Sequence, residues 1–139
     1  MTLAIEPIRF GQDSLQTDKR GLIISRNPLD LTGLTSVDDL VIEGVQPSGT
    51  DRRVLLKWGT SWKRWTGSAF ADAGTQSPTV DSVLSEGNTV AELDALAGAQ
   101  LAPLVGQQVH VAVALSGPMA GPHPTIKVGI AGKSDQVLT

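Results

Sequence analysis

The residues able to support acid–base or metal chemistry are few and far apart. The two histidines are His110, in an apolar run, and His123, between two prolines. A zinc site needs further nitrogen or sulfur ligands close by, and the chain contains no cysteine. A histidine in such a run is typical of a hydrogen-bonded structural residue. The sequence therefore predicts no metal site.

Serine and carboxylate residues also lack a supporting pattern. No serine lies in a Gly-x-Ser-x-Gly turn, and no glycine-rich phosphate-binding loop occurs. Asp38 and Asp39 are adjacent, so in a strand they point to opposite faces and not towards one glycosidic bond. We predict no catalytic residue, no cofactor and no enzymatic activity.

The residues that do stand out lie between Arg52 and Trp65. This stretch holds all three tryptophans and five of the eleven basic residues. Interleaved basic and aromatic residues bind single-stranded nucleic acid or sugars, and Trp and Arg are enriched at protein–protein hot spots. The structural alternative is that two rings fill the core while Lys and Arg stems cover the outer face. We take as candidate interface residues Trp58, Trp62, Trp65, Arg53, Lys57 and Arg64.

The same stretch is predicted to be a tight β-hairpin, because Gly59 supplies the positive φ that primed turns need. With a two-residue loop, Gly59–Thr60, the side chains of both strands alternate between the two faces of the hairpin. One face then carries Val54, Leu56, Trp58 and Trp65, and the other carries Arg53, Leu55, Lys57, Trp62 and Arg64. A three-residue loop would instead set Trp58 opposite Trp62. The sequence leaves both registers open.

Further strands are predicted from apolar runs bounded by turn residues, at 22–25, 37–45, 109–115 and 125–131. The run 109–115 is nearly continuous in Val and Ala, which favours a central strand covered on both faces. Residues 79–84 are interpreted as a strand or the start of a turn. The one predicted helix spans 87–98, where Thr89 and Glu92 have capping-box spacing and Gly98 provides a stop.

The N-terminal patch from Leu3 to Phe10 is interrupted by Pro7, which favours an edge strand or an extended arm. Such an arm either folds back on its own domain or lies across a neighbour, and the sequence leaves both open. Its apolar residues join the candidate interface: Ile5, Ile8 and Phe10. No basic leader and no apolar run of about 20 residues occurs, so we expect no signal peptide, no membrane span and synthesis in the cytoplasm.

Composition completes the expectation for the fold. A length of 139 residues fits one domain, divided here into the arm at 1–21 and a single β domain at 22–139. Gly 15 and Pro 8 supply many turns, and a net charge of −3 argues against a nucleic-acid partner. We predict an all-β antiparallel sandwich or barrel-like domain with one short α-helix and an extended N-terminal arm.

Two segments resemble those of tailed-bacteriophage virion structural proteins. Residues 53–65, RVLLKWGTSWKRW, resemble hairpins of virion proteins, and residues 79–93, TVDSVLSEGNTVAEL, are similar to segments of tail-associated proteins. The resemblance covers about residues 50 to 131. It implies a multi-copy component of a tail, baseplate, fibre or neck, or a capsid decoration protein, present in the virion and contacting itself and other virion proteins. The rival interpretation is a glycan-binding receptor-recognition module that uses Trp62 and nearby basic residues.

Overall fold

Short antiparallel strands dominate the computed structural model, which describes the backbone of residues 2–4, 8–9, 18–118 and 124–134 and the side chains of residues 20–117 and 124–130. The fold is all-β, as the sequence predicts. In chain order the elements are β1 Thr2–Ala4, β2 Ile8–Arg9, β3 Asp18–Ile24, β4 Leu29–Asp30, β5 Leu34–Glu43, β6 Asp51–Trp58, β7 Ser61–Trp65, β8 Phe70–Asp72, α1 Val80–Glu86, β9 Asn88–Thr89, α2 Val90–Asp94, the 3-10 helix Gly98–Leu104, β10 Gln108–Pro118 and β11 Thr125–Ser134.

The strands form two antiparallel sheets. The large sheet has the order β3-β10-β6-β7-β8, with β4 also paired to β10 and β9 paired to β6. The small sheet is built on β11, with β5 along one edge and β1 and β2 along the other. The strand β10 lies between β3 and β6, which confirms the prediction of a central strand there.

The main core lies between the two sheets and follows from alternation along their strands. Every second residue of the paired strands points inward, as the period of a strand requires. Each fully buried Val, Leu or Ile side chain contributes about 1.5–3 kcal/mol relative to exposure. The buried core residues include Leu34, Val37, Leu40, Val54, Leu56, Trp58, Trp65, Val109, Val111, Val113, Leu115, Ile126, Val128 and Ile130.

A second, smaller core covers the outer face of the large sheet. Leu55, Ala112 and Ala114 point outward from β6 and β10 and are fully buried. The helix α1 covers them through Val83, which has no exposed surface. The two alanines are small, so the helix approaches closely. Because β10 is covered on both faces, its near-continuous run of Val and Ala is explained.

The helices differ from the prediction of a single helix. Residues 79–84, interpreted as a strand or turn, begin α1 instead, since Thr79 and Ser82 form a reciprocal capping box that fixes the helix start. The predicted capping box of Thr89 and Glu92 is present at α2. That helix ends at Asp94, earlier than predicted, and a 3-10 helix begins at Gly98. The described residues therefore contain two short α-helices and a 3-10 helix.

The N-terminal residues that the structure describes lie along their own sheet. The strand β1 pairs with residues 129–131 of β11, and β2 pairs with residues 125 and 126. The backbone is therefore that of an edge strand folded back on the same chain, one of the two alternatives left open by the sequence. Ile5, Pro7 and Phe10 lie outside the described residues, and so does the side chain of Ile8.

Candidate functional site

The Trp-rich segment forms the predicted hairpin from β6 and β7. Trp58 pairs with Ser61, so the loop is the two-residue Gly59–Thr60. Gly59 has a φ of 69°, the positive value that a tight hairpin loop needs at this position. The structure therefore confirms the two-residue register and its division of side chains between faces: Trp58 and Trp65 belong to the main core, and Trp62 to the outer one.

Two of the three tryptophans form an aromatic cluster inside the sandwich. Phe70 lies 5.1 Å from Trp58 and 5.1 Å from Trp65 between ring centroids, both in edge-to-face geometry. Such pairs contribute about 0.5–1.5 kcal/mol beyond the area they bury. Trp58 is 9% exposed and Trp65 is 8% exposed, so both rings act mainly in packing.

Trp62 lies on the opposite face and is also buried. It is 5% exposed and belongs to the cluster beneath α1. The ammonium of Lys57 lies 5.8 Å from the centre of its ring, within cation–π range. Trp62 consequently offers no open ring face to a sugar. Of the other basic residues named from the sequence, Arg53 forms an ion pair with Asp51 at 3.1 Å, and Arg64 is exposed.

Two side-chain amides hold the backbone of β7 in place. The Oδ1 atom of Asn88 accepts from the N–H of Trp65 at 2.7 Å, and its Nδ2 donates to the carbonyl of Trp65 at 2.8 Å. Gln76 does the same at Trp62, accepting from the N–H at 2.9 Å and donating to the carbonyl at 3.2 Å. Asn88 is 1% exposed. It lies at the point where the pairing partner of β6 changes from β7 to β9. The sequence reasoning did not single out either amide.

A shallow groove of about 510 Å³ opens beside the aromatic cluster, between the β7–β8 turn and the 3-10 helix. Its volume falls within the usual range for small-molecule sites. Its lining combines rings, one cation and small side chains: Trp58, Lys63, Trp65, Ser68, Ala69, Phe70, Ala99, Gln100 and Pro103.

The cation in this groove is already engaged within the chain. The Nζ of Lys63 donates to the Oδ1 of Asp72 at 3.0 Å and to the Oγ of Ser61 at 2.8 Å, and lies 5.4 Å from the ring of Trp58. These contacts, led by the hydrogen bond from Lys63 and then that from Ser61, lower the pKa of Asp72. The groove therefore offers aromatic side chains and an ammonium that is already paired with Asp72.

Arg52 is a buried cation that joins the two sheets. Its Nε donates to the Oε1 of Gln46 at 3.2 Å, and its Nη1 donates to the carbonyl of Thr125 in β11 at 3.0 Å. The side chain is 8% exposed, and this burial lowers the pKa of Arg52. These contacts are structural, since both partners are neutral groups of the same chain.

The strand β3 forms an open edge of the large sheet, because within the described residues it pairs only with β10. Ser25 donates its N–H to the carbonyl of Val111 at 2.8 Å. Since the two kinds of pair alternate along an antiparallel ladder, Leu22 and Ile24 direct their backbone N–H and C=O groups away from β10. Ile23 is 38% exposed and Ile24 is 44% exposed. An apolar edge of this kind is a template for pairing with another chain.

Metal-ligating side chains do not cluster in the described part of the chain. No three His, Cys, Asp or Glu residues come together in it as a possible metal site. The carboxylates with lowered pKa values are Asp30, Asp72 and Glu92, and in each the main cause is a hydrogen bond from a neighbouring side chain or backbone. The helices found in these residues are too short and too polar to cross a membrane.

Comparison with known proteins adds no family. No protein-family model, no curated protein and no solved structure matches the chain.

Proposed function

We propose that this chain is a structural component of a bacteriophage virion that acts through protein–protein contacts, with its own copies and with neighbouring virion proteins. The observation that carries the assembly role is the open edge of β3 with its two exposed isoleucines. The virion setting is supported by the resemblance of residues 53–65 and 79–93 to tailed-bacteriophage proteins. In this role the protein is made in the host cytoplasm and performs no chemistry.

The edge of β3 supports assembly because its last three residues, 22–24, lack the usual protection of sheet edges, although Lys19 and Arg20 stand at the other end of the strand. Natural edges avoid pairing by carrying lysines, prolines or bulges, or by being short. The described register between β3 and β10 runs over seven residues without a bulge. Its last two residues are Ile23 and Ile24, one on each face of the strand. This edge offers unpaired backbone groups and apolar side chains to an incoming strand, which is the requirement for β-strand addition.

The positions of the hairpin residues also support assembly through another surface, because these residues stabilise the fold. All three tryptophans are buried, so the aromatic residues hold the fold and leave contact to other surfaces. The ion pairs of Lys63 with Asp72 and of Arg53 with Asp51 lie between neighbouring residues or strands of this chain. In the role we propose, the described hairpin residues therefore stabilise the fold and take part in no catalytic step.

A lysine scan of exposed apolar residues tests the assembly role. The double variant Ile23→Lys/Ile24→Lys places two charges on the edge, and the matched control Val45→Lys changes a residue that is 61% exposed and outside β3. We expect the wild type and the control to exceed the monomer mass of 14.5 kDa in light scattering, and the double variant to remain monomeric. Equal masses for all three proteins would contradict a role for this edge.

The virion setting is tested on particles. Density-gradient-purified phage from the host should contain peptides of this chain at a constant ratio to the major capsid protein across the peak fractions. Absence of these peptides from particles in which other tail and capsid proteins are detected would refute the virion role, whatever the mass in solution.

The groove beside Trp58 favours a second candidate function, recognition of a glycan. Its lining contains aromatic rings, an ammonium and one side-chain amide, that of Gln100, which are groups that contact sugars; Trp62 is not among the lining residues. Pro103→Glu would obstruct the mouth of the groove without entering the core, because Pro103 is exposed. Glycan-array binding that disappears in Pro103→Glu but persists in Val45→Lys would establish this function, and no binding by the wild type would dismiss it.

A further inference from the structure

The strand β8 forms the other edge of the large sheet, at the opposite end from β3. Within the described residues β8 pairs only with β7, and its residues Ala71 and Asp72 are exposed. We propose that this edge binds an extended peptide segment of a partner protein as an added strand, with apolar side chains in the groove beside Phe70 and acidic side chains on the outer face. The inference goes beyond the proposed function, because it concerns a second surface and needs no second copy of this chain.

The hydrogen-bond pattern of the β7–β8 ladder directs the backbone groups of two residues towards the open edge. Ala73 donates its N–H to the carbonyl of Trp62 at 2.8 Å. Hydrogen-bonded and non-hydrogen-bonded pairs alternate along an antiparallel ladder, so Phe70 and Asp72 point their N–H and C=O groups away from β7. Two donors and two acceptors therefore face the open edge, which is the requirement for strand addition.

The groove lies beside the same edge, on the inner face of the sheet. Its lining joins Phe70 of β8 to Ala99, Gln100 and Pro103 of the 3-10 helix. A strand added to β8 continues the inner face, so every second side chain of the peptide would point towards this groove. Gln100 uses its Oε1 to accept from the N–H of Ala97 at 3.1 Å, which leaves its NH2 group without a partner among the described residues. The groove therefore suits apolar side chains and offers one donor to a peptide carbonyl.

The two faces of this edge differ in charge. On the outer face Arg64 is exposed and forms no ion pair with any described residue. Only the small Ala71 separates Arg64 from the position of an added strand. On the inner face the carboxylate of Asp72 accepts from Lys63 at 3.0 Å. Since opposite charges on neighbouring strands are favourable and like charges are not, we expect acidic residues on the outer face of the peptide and uncharged residues on its inner face.

The shortness of β8 restricts what can bind there. The strand has three residues and carries Asp72, and short, charged edges resist indiscriminate pairing. Backbone hydrogen bonds alone are therefore insufficient, and the partner must also fill the groove. A sugar would use the groove without the backbone groups of Phe70 and Asp72. A short segment of alternating apolar and acidic residues is the ligand that uses the groove, the backbone edge and the charge of Arg64 together.

An array of synthetic hexapeptides tests this chemistry. One alternating set of positions carries Phe, Leu, Ser or Asn, and the other set carries Glu, Ser or Lys. We expect wild-type protein to bind most tightly to peptides that combine Phe or Leu with Glu, and about threefold more weakly when Lys replaces Glu. The exposed Pro103 lines the groove, so Pro103→Glu should abolish this binding. The proposal is overturned if no hexapeptide binds the wild type more tightly than it binds Pro103→Glu.

A matched pair of variants at Asp72 tests the backbone contact. Asp72→Pro and Asp72→Ala both remove the carboxylate that accepts from Lys63, but only proline also removes the N–H that faces the open edge. Because this N–H has no partner in β7, an edge strand tolerates proline at this position. We expect the dissociation constant of the tightest hexapeptide to be about tenfold higher for Asp72→Pro than for Asp72→Ala. Equal dissociation constants would overturn strand addition.

Methylation of the peptide backbone tests the same hydrogen bonds without a change in the protein. Only every second amide of an added strand faces β8, so single N-methyl groups should weaken binding at alternate positions. Equal effects at all positions would overturn the inference, and so would binding of glycans by a protein that binds no hexapeptide. The measurements can be repeated on Ile23→Lys/Ile24→Lys, which alters only the β3 edge, so failure of assembly through β3 and failure of peptide binding at β8 are separate results.

Discussion

Replacing Asn88 by alanine removes the side-chain amide that hydrogen-bonds the backbone of β7 where this strand no longer pairs with β6. In the native protein this amide satisfies both the N–H and the C=O of Trp65, at 2.7 Å and 2.8 Å. Asn88 is 1% exposed, so water does not readily replace it. The variant therefore leaves two buried backbone groups without partners.

The magnitude follows from the cost of orphaned polar groups. Each buried group without a partner costs about 1–3 kcal/mol, so two groups cost roughly 2–6 kcal/mol before any relaxation. Local rearrangement recovers part of this, and we expect Asn88→Ala to lower the free energy of unfolding by about 3 kcal/mol. The same change at the exposed Asn27 should stay within about 0.5 kcal/mol, as is usual for the surface.

A second substitution at the same position adds a pH dependence. Asn88→Asp keeps an acceptor for the N–H of Trp65 but turns a second oxygen towards its carbonyl. Burial raises the pKa of the introduced carboxyl, because the charged form is disfavoured there. The folded state then binds more protons than the unfolded state, so the stability of this variant falls as pH rises above the ordinary pKa of aspartate. Below that pH the neutral carboxyl can donate to the carbonyl and the deficit shrinks.

Urea unfolding followed by tryptophan fluorescence measures these changes, since the tryptophans lie in the core. Asn27→Asp provides the control for the pH series. A loss below about 0.5 kcal/mol in Asn88→Ala, or an Asn88→Asp deficit that is independent of pH, would refute the assignment of this amide as a backbone clamp.

Two further predictions concern close packing and a surface ion pair. Gly87→Ala would bring a Cβ to 2.6 Å from the carbonyl of Val83, so it should destabilise the protein by about 1–3 kcal/mol in the same assay. Gly33→Ala has no atom within 4 Å and should be nearly neutral; equal losses would contradict the packing argument. Contacts led by Lys63 lower the pKa of Asp72, so their stabilisation is present above the unfolded-state pKa and is lost as pH falls through the folded-state pKa. In Asp72→Asn, the free energy of unfolding should therefore fall less steeply with decreasing pH in this range. An unchanged pH dependence would contradict a stabilising contact between Lys63 and Asp72.

Local patterns in the sequence were sufficient for the elements that local chemistry determines. Gly59 marks the tight loop of the hairpin, and alternation assigns its residues to their faces once the pairing of Trp58 with Ser61 has fixed the loop length. The capping box of Thr89 and Glu92 likewise marks the start of α2. The same rule also applies at Thr79, but Ser82 stands in place of the usual Glu or Gln, so the sequence signal for the start of α1 is weaker.

Features that depend on distant contacts were beyond the sequence. Asn88 lies within the helix predicted at 87–98, yet the fold places it in β9 with its amide against Trp65, 23 positions earlier. The open edge is similar, since the apolar run at Leu22 does not reveal which of its sides remains unpaired. Strand order decides both, and strand order is set by long-range pairing that local periodicity does not encode.

The most direct test of assembly is the absolute mass of the wild-type protein by light scattering across a concentration series. We expect a mass that rises from 14.5 kDa towards twice that value or beyond as concentration increases, with Ile23→Lys/Ile24→Lys staying at the monomer mass. A wild-type mass that remains at 14.5 kDa over the whole series would contradict self-association through β3.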